Sequence, residues 1–551
     1  MSHPNGPRTG RPPTYASRGV VSTPHSLASA AGLEALQRGG NAIDAAIAAS
    51  AALCVVYPHM TGLGGDGFWL IAGPDTGGVQ ALNASGPAAQ AATIERYRAH
   101  GSEIPARGPL AALTVPGSVD GWRAAHERFG RLPWADLFSA AIHYAREGMP
   151  VSRSLADWLV TDLPILREFP ETARIFLPQG EPQREGTRLV QADLARSLEA
   201  LASAGARAAF YEGDIARRIC AGLAPQGSPL QPEDFAAYQA AWVKPISTTY
   251  RGFEIVQMPP NTQGFAALQI LNLLEGFDVR SWGEGTAEYY HHIVEAVKVA
   301  FADRDEWLTD PDFVDIPLDR LLDKQYAVER RELIDRRRAA RLGDVKPGIR
   351  YGPDVHRRAP AGDTVYFCVI DGDGLAVSTI QSIYHDFGSA VIGGDTGIIL
   401  QNRGSFFSLD ERHPNRLEPG KRSFHTIIPA MMLRDGQPVL AFGSMGGEGQ
   451  PQSQAAMITR MVDFGYDVQQ AIEAPRWLAG RMWGAESSDL WLESRIGDQV
   501  ARELSRRGQP VKIVDAWSGT MGHAQAIRIH RDGGFLEGGA DPRGDGAALG
   551  W

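Results

Sequence analysis

The stretch from Thr23 to Pro58, "TPHSLASAAGLEALQRGGNAIDAAIAASAALCVVYP", repeats apolar residues at helical spacing and breaks at Gly39-Gly40, which predicts two helices. Thr23 with Pro24 is the expected cap and first helical residue. The second helix is almost wholly alanine and aliphatic, so burial on most sides is expected. Ahead of it Gly19–Thr23 reads as extended, and "DGFWLIAG" and "GGVQALNAS" read as paired strands. From about Leu113 to Asp335 helical patterns dominate, with turns such as "MPPNTQG" between them. The period is then lost in "ERRELIDRRRAARLGDVKPGIRYGPDVHRRAPAGD", which predicts an exposed, mobile loop at about 340–363. Beyond it "TVYFCVID", "GLAVSTIQSI", "TGIIL", "HTIIPAMMLR" and "QPVLAFGS" read as strands, with a hairpin signal at Asp371–Gly374. A helix-rich first part and a strand-rich last part therefore meet at Thr364.

At 551 residues the chain exceeds what one ordinary core needs, so two lobes or one large layered domain would fit. Hydrophobic content of 43% and charged content of 21% belong to a globular protein. The net charge of -10 argues against nucleic acid or an anionic membrane as partner. The three cysteines, Cys54, Cys220 and Cys368, sit far apart in apolar stretches and are expected as buried thiols. Residues 1–18 are polar and rich in Pro and Gly, which predicts a disordered tail and no secretory signal. The longest apolar run is too short to span a bilayer, and a cytoplasmic location is the expectation.

Gly62-Leu63-Gly64-Gly65-Asp66-Gly67 formally matches a dinucleotide fingerprint, but a helix precedes it and a strand follows, the reverse of the required order. A close-packed glycine turn is the better reading. His59, His385, His425 and His523 show no ligand spacing, so no metal is expected. The Asp363-Thr364 step carries more. A loop where cleavage is tolerable lies upstream, and Ser378, Thr379, Gln381, Ser382 and Tyr384 lie on the next predicted strand. In "GSMGGEG", Gly446 and Gly447 follow a strand and can aim two amide donors at one oxygen. A threonine hydroxyl needs a base, and an N-terminal Thr364 would supply its own α-amine.

With "GGNAIDAAIAA", "GLGGDGFWLI", "LTVPGSVDGW", "MPPNTQG", "VEAVKVAFADRDEWLTDPDF", "GDTVYFCVIDGDGLAVSTIQSIYHDFGS", "TGIILQNR", "FGSMGGEGQ" and "GGADPRGDG" in order, the chain resembles the γ-glutamyltransferase family of N-terminal-nucleophile hydrolases from about Gly19 to the C-terminus. The resemblance implies an α+β protein with a four-layer αββα sandwich and helical additions. It implies a precursor that cuts itself between Asp363 and Thr364 into a large subunit, 19–363 after the tail, and a small subunit, 364–551. It further implies Thr364 as nucleophile, Ser382 as the hydroxyl that bonds it, Gly446 and Gly447 as oxyanion donors, and no cofactor. The subunits of one precursor would be each other's partner, with a homo-oligomer of that heterodimer possible.

Departures from the family's pattern bear on substrate. The arginine of "F-R-E-x-A-P" is Asn83 in "LNASGP", and the amine-binding aspartate of "N-N-x-M-D-D-F-S" is Phe406 in "QNRGSFFS". The paired serines become His425-Thr426, and an asparagine near the nucleophile becomes Tyr384. Losing both charges of an amino-acid clamp removes charge-assisted bonds of roughly 1.5–3 kcal/mol each. Within the family, "QSIYHDFGS" and "YPHMTGLGGDGFW" look most like oxamate amidohydrolase-type members, which form oxalate and ammonia. An anion partner is then needed, with Arg403, His385, His425 and His59 as candidates. The alternatives are a γ-glutamyl transferase or glutathione hydrolase with a rearranged clamp, a cephalosporin-acylase-like enzyme, and an inactive binding homologue.

Overall fold

The computed structural model describes residues 9–352, 363–480 and 487–551. Its frame is a pair of seven-stranded sheets with helices. The first sheet runs Ala547–Gly550, Gly19–Thr23, Asp363–Asp371, Ala376–Tyr384, Asp66–Ala72, Gln80–Ala84 and Ala241–Val243 from edge to edge. The second runs Thr14–Ala16, Phe535–Ala540, Ala524–His530, Gln437–Ser444, Ala430–Arg434, Phe253–Gln257 and Ile246–Tyr250. Both sheets mix strands from before and after Thr364, so that residue is not a boundary between two separately folded bodies.

Alternation along the strands explains how apolar cores arise on both faces of the sheets. Phe68, Leu70, Tyr366, Cys368 and Ile380 of the first sheet cluster with Val256, Met431, Ala441 and Ile527 of the second. Their alternate neighbours, including Trp69, Ile71, Val365, Phe367 and Val369, pack with the helices Ser26–Gln37 and Ala42–Val56. The helices Gly264–Leu274, Ala287–Trp307 and Gln450–Val462 form a third cluster with Ile255, Met432, Leu440 and Phe442 of the second sheet. All fifteen residues of Ala42–Val56 are buried, as its uniform composition predicts, and Asn41 and Asp44 form a capping box at its start. The three cysteines are buried free thiols.

Several expectations are corrected. Residues 9–18 are tied down: Thr14–Ala16 pairs with Phe535–Ala540, and Glu473 accepts from Gly10 N and Arg11 N. Residues 1–8 lie outside the described residues. The first helix begins at Ser26 with His25 as cap, because Thr23 is held in the sheet opposite Ala547. "TGIIL" is no strand but makes isolated bridges, Ile399 with Ile392 and Leu400 with Gly64. In "HTIIPAMMLR" the strand begins only at Ala430, after Pro429, which has no N–H for a ladder. The helices Gln450–Val462, Val468–Glu473 and Asp498–Arg506 interrupt the supposedly strand-rich part. The predicted loop at about 340–363 is irregular up to Gly352, and its remainder to residue 362 lies outside the described residues.

Candidate active site

Thr364 enters the first sheet one residue after its strand begins, and it is fully buried. Asp363 pairs with Tyr384 and Val365 with Gln381, so two steps on this strand oppose three on the other. The extra residue makes a bulge at Ser382-Ile383, across from Thr364, and such a bulge re-aims side chains at a strand end. Tyr384 closes the bulge at φ 81°, and Phe387 and Ala390 follow at φ 51° and 61°. Non-glycine residues hold that conformation only where the surroundings over-determine it. At Tyr384 those surroundings are specific: Ser382 Oγ accepts its N–H at 2.8 Å, and Phe406 packs on its ring at 4.4 Å. Arg403 lies over the same ring, with its guanidinium carbon 4.4 Å from the centroid.

Arg403 occupies a short turn, Arg403–Phe406, and is fully buried. Its Nη2 donates to Ser382 Oγ at 3.0 Å and its Nη1 to Thr426 Oγ1 at 3.4 Å. No carboxylate among the described residues lies at ion-pair distance from it, and its Nε has no hydrogen-bond partner there. Burial lowers its pKa to about 10, against the pull of Tyr384 and Asp66, so it remains a cation at neutral pH. Ser382 Oγ thus accepts from both Tyr384 N and Arg403, which leaves its own O–H to donate.

His425, Asn83 and Asp66 form a second, self-contained network. Asp66 Oδ1 accepts the N–H groups of Gly86 and Gly117 at 3.0 Å each, and Oδ2 lies 2.8 Å from His425 Nε2. Asn261 Nδ2 lies 3.1 Å from His425 Nδ1, and Asn261 Oδ1 accepts from Asn83 Nδ2 at 3.0 Å. Asn83 Oδ1 in turn accepts from Ser85 N and Oγ. Burial, with Arg403 nearby, lowers the His425 pKa, against the pull of Asp66 and the Ser423 carbonyl. Nε2 faces Asp66, and Nδ1 faces both Asn261 Nδ2 and, at 2.9 Å, the carbonyl oxygen of Ser423. With every polar atom engaged inside this network, His425 and Asn83 frame the site.

The strand Gln437–Ser444 leads into Gly446 at φ 121° and Gly447 at φ 53°, both favouring glycine, and then into the helix Gln450–Val462. Gln263 Nε2 donates to Gly447 O at 3.0 Å and to Thr426 O at 2.6 Å, which brings this turn to the Arg403 group. The glycine turn before Asp66 packs equally closely: a Cβ on Gly65 would stand 2.3 Å from Ser382 O.

Thr426, Tyr384, Ser382 and Arg403 are therefore gathered beside Thr364. His59 and His385 lie to another side. His385 stacks on Tyr384 at 4.3 Å and lines a cavity of about 1180 Å³ with Met445, Arg107, Asp162, Asp386 and His523. His59 is buried with Nε2 3.1 Å from Ser154 Oγ, and burial holds its pKa well below the usual histidine range. It carries no charge for an anion. Asp66, Asn261, Gln263 and Arg304 were not singled out from the sequence. Asp66 was hidden inside a glycine turn, Gln263 inside a turn motif, and Arg304 inside the charged run of "VAFADRDEW".

The profile described as "Gamma-glutamyltranspeptidase" matches residues 28–551. The chain belongs to the gamma-glutamyltranspeptidase family. It is 49% identical to the glutathione hydrolase-like YwrD proenzyme of Bacillus subtilis, over 96% of this chain and 98% of that protein. It is 44% identical to the oxamate amidohydrolase proenzyme of Klebsiella pneumoniae, over 97% and 98% respectively. A crystal structure of cephalosporin acylase from Bacillus halodurans superposes with TM-score 0.90 at 37% identity, covering 100% of this chain and 98% of that one. The gamma-glutamyltranspeptidase family is one of amide-cleaving enzymes made as proenzymes, and this chain is an enzyme of that family. Among the described residues no helix is long and apolar enough to cross a membrane.

Proposed function

We propose that the protein is a self-processing threonine amidohydrolase whose substrate is a small amide with a carboxylate beside the scissile carbonyl, oxamate being the simplest. The observation that carries this reading is Arg403: a buried cation beside Thr364, bonded among the described residues only to neutral hydroxyls, and so short of one anion there. A buried charge without a partner is costly, and a substrate carboxylate supplies the missing one. Phe406 and Asn83 stand where a γ-glutamyl substrate would need charge, and Phe406 instead stacks between Tyr384 and Phe424.

In this reading the chain is cut between Asp363 and Thr364 into 1–363 and 364–551, and the paired sheets with their helices make a four-layer αββα sandwich. The freed α-amine of Thr364 takes the proton as Oγ attacks the amide carbon. Ser382 O–H orients that oxygen, and the N–H groups of Gly446 and Gly447 receive the oxyanion. The amine then returns the proton to the leaving nitrogen, and ammonia departs. Water attacks the ester by the same route and releases oxalate, regenerating the hydroxyl.

The test is ammonia release from oxamate by purified protein, with mass spectrometry of its chains. Two chains beginning at Met1 and Thr364, with turnover, are expected. A single uncut chain that nonetheless turns over, or turnover of a γ-glutamyl anilide at rates comparable to oxamate, overturns the reading. The aromatic run Tyr384–Phe406–Phe424, with the acylase likeness, favours a second reading in which the acyl group is apolar. Release of an apolar acyl group with no oxamate turnover would select it.

A further inference from the structure

Arg304 stands out as a guanidinium fully buried on the long helix Ala287–Trp307. Its Nε donates to Asp305 Oδ1 at 2.8 Å, its Nη2 reaches Glu448 Oε2 at 3.3 Å, and its Nη1 donates to Gln263 Oε1 at 3.1 Å. The ring of Phe301 lies 3.7 Å from the guanidinium carbon. Arginine only donates, so its contact settles which side-chain atom of Gln263 is oxygen and turns the NH₂ the other way. That NH₂ uses both hydrogens: one on Thr426 O at 2.6 Å, the other on Gly447 O at 3.0 Å. The main chain of the same residue adds a bond, Gln263 N to His425 O at 3.0 Å.

The two carbonyls belong to the two halves of the proposed site. Thr426 holds Arg403 through Oγ1, and Gly447 is one of the two oxyanion donors. Since the hydrogens of one NH₂ diverge by about 120°, these bond lengths hold the two carbonyl oxygens roughly 5 Å apart. The turn is fixed from its far side as well. Glu448 meets Arg304, Met445 N donates to His523 O at 3.0 Å, and Gly449 N donates to Gly446 O at 2.8 Å. Gln263, Arg304 and Glu448 are all buried, so water does not compete for these bonds.

We propose that the Arg304–Gln263 pair is a positioning device that fixes the spacing between the Arg403 carboxylate site and the Gly446–Gly447 oxyanion turn, and thereby selects amides whose carboxylate is bonded directly to the scissile carbonyl. This rests on the substrate reading given above. In oxamate the two groups are adjacent carbons, whereas malonamate inserts one methylene between them. A spacing set by one side-chain amide matches the first and misplaces the second. Neither residue touches substrate, so the device acts on alignment and its loss appears in turnover before it appears in affinity.

The experiment compares wild type, Gln263→Glu and Arg304→Lys in the processed enzyme, measuring kcat and KM for oxamate and malonamate by ammonia release. Gln263→Glu keeps size and the Arg304 contact but loses both donors, and Arg304→Lys keeps charge but not the fork. The expected result is a kcat for oxamate lower by about 100-fold, with KM within about threefold. The preference for oxamate over malonamate should shrink by about tenfold or more. Unchanged kcat and preference, or an effect confined to KM, overturns the inference. Failure of both variants to mature also overturns it, since the pair would then serve folding. If wild type does not turn over oxamate, the substrate reading falls. The pair is then read on the γ-glutamyl anilide or apolar amide that wild type does cleave, where loss of kcat at constant KM remains the deciding outcome.

Discussion

Arg403 donates to Ser382 at 3.0 Å, so a buried cation and the hydroxyl facing the start of the Thr364 strand share one hydrogen bond. In the proposed mechanism the same pair of side chains would hold the substrate's charge and orient the nucleophile. Replacing Arg403 with Met should lower kcat/KM for oxamate by about 100-fold, equivalent to one or two charge-assisted bonds of roughly 1.5–3 kcal/mol. Because no described carboxylate loses a partner, the melting temperature should hold or rise. A melting temperature several degrees lower, with kcat/KM preserved, would show a structural arginine.

Thr364→Ala should leave a single band near 59.5 kDa on a denaturing gel and no amide turnover. Thr364→Ser keeps a hydroxyl and should still be cut. Two bands from the alanine variant would place the nucleophile elsewhere.

Glycine at 65 is required by contact and glycine at 62 is not. A Cβ on Gly65 would stand 2.3 Å from the Ser382 carbonyl oxygen, whereas on Gly62 the nearest atom is 3.7 Å away. Gly65→Ala should displace the bulge and reduce activity by about 100-fold or more, and Gly62→Ala should stay within about twofold. Equal activity of the two variants would show that the bulge does not control the reaction.

Burial lowers the pKa of His25 and of His523 to about 4. Between that value and the ordinary 6.5 the unfolded chain binds protons that the folded one refuses, so stability falls as pH falls through this window. Each ring contributes up to ~3 kcal/mol at neutral pH. Asp162, raised to about 9 by burial and by Asp386, acts with the opposite sign, losing stability as pH rises from the ordinary carboxyl range. Thermal unfolding at pH 7 and pH 5 should show the lower midpoint at pH 5, and a His523→Gln variant should flatten the difference. An equal midpoint at both values would refute the assignment.

Local patterns revealed the centre of the fold and left its connections hidden. The strands Asp363–Asp371 and Ala376–Tyr384 were legible because period-two alternation and an Asp-Gly turn are written in one continuous stretch of the chain. The Gly446–Gly447 turn was legible because the strand Gln437–Ser444 leads straight into it. Arg403 could be named as an anion candidate but not distinguished from His425, since the difference is Asp66, 359 positions away from that histidine. Gln263 was invisible for the same reason: its partner Gly447 is 184 positions distant. "TGIIL" misled because an apolar run also suits a segment wedged against glycines, as Leu400 is against Gly64.

The strand that begins at Asp363 lies between Gly19–Thr23 and Ala376–Tyr384, and in the other sheet segments from before Thr364 flank both sides of a block of later strands. A cut before Thr364 would therefore sever a tether without opening a seam. The fragments would stay interlocked like the fingers of clasped hands, and parting them would mean unzipping both sheets. Covalent continuity would be needed only while the chain assembles, and two fragments produced apart would have to fold around each other to recover the enzyme.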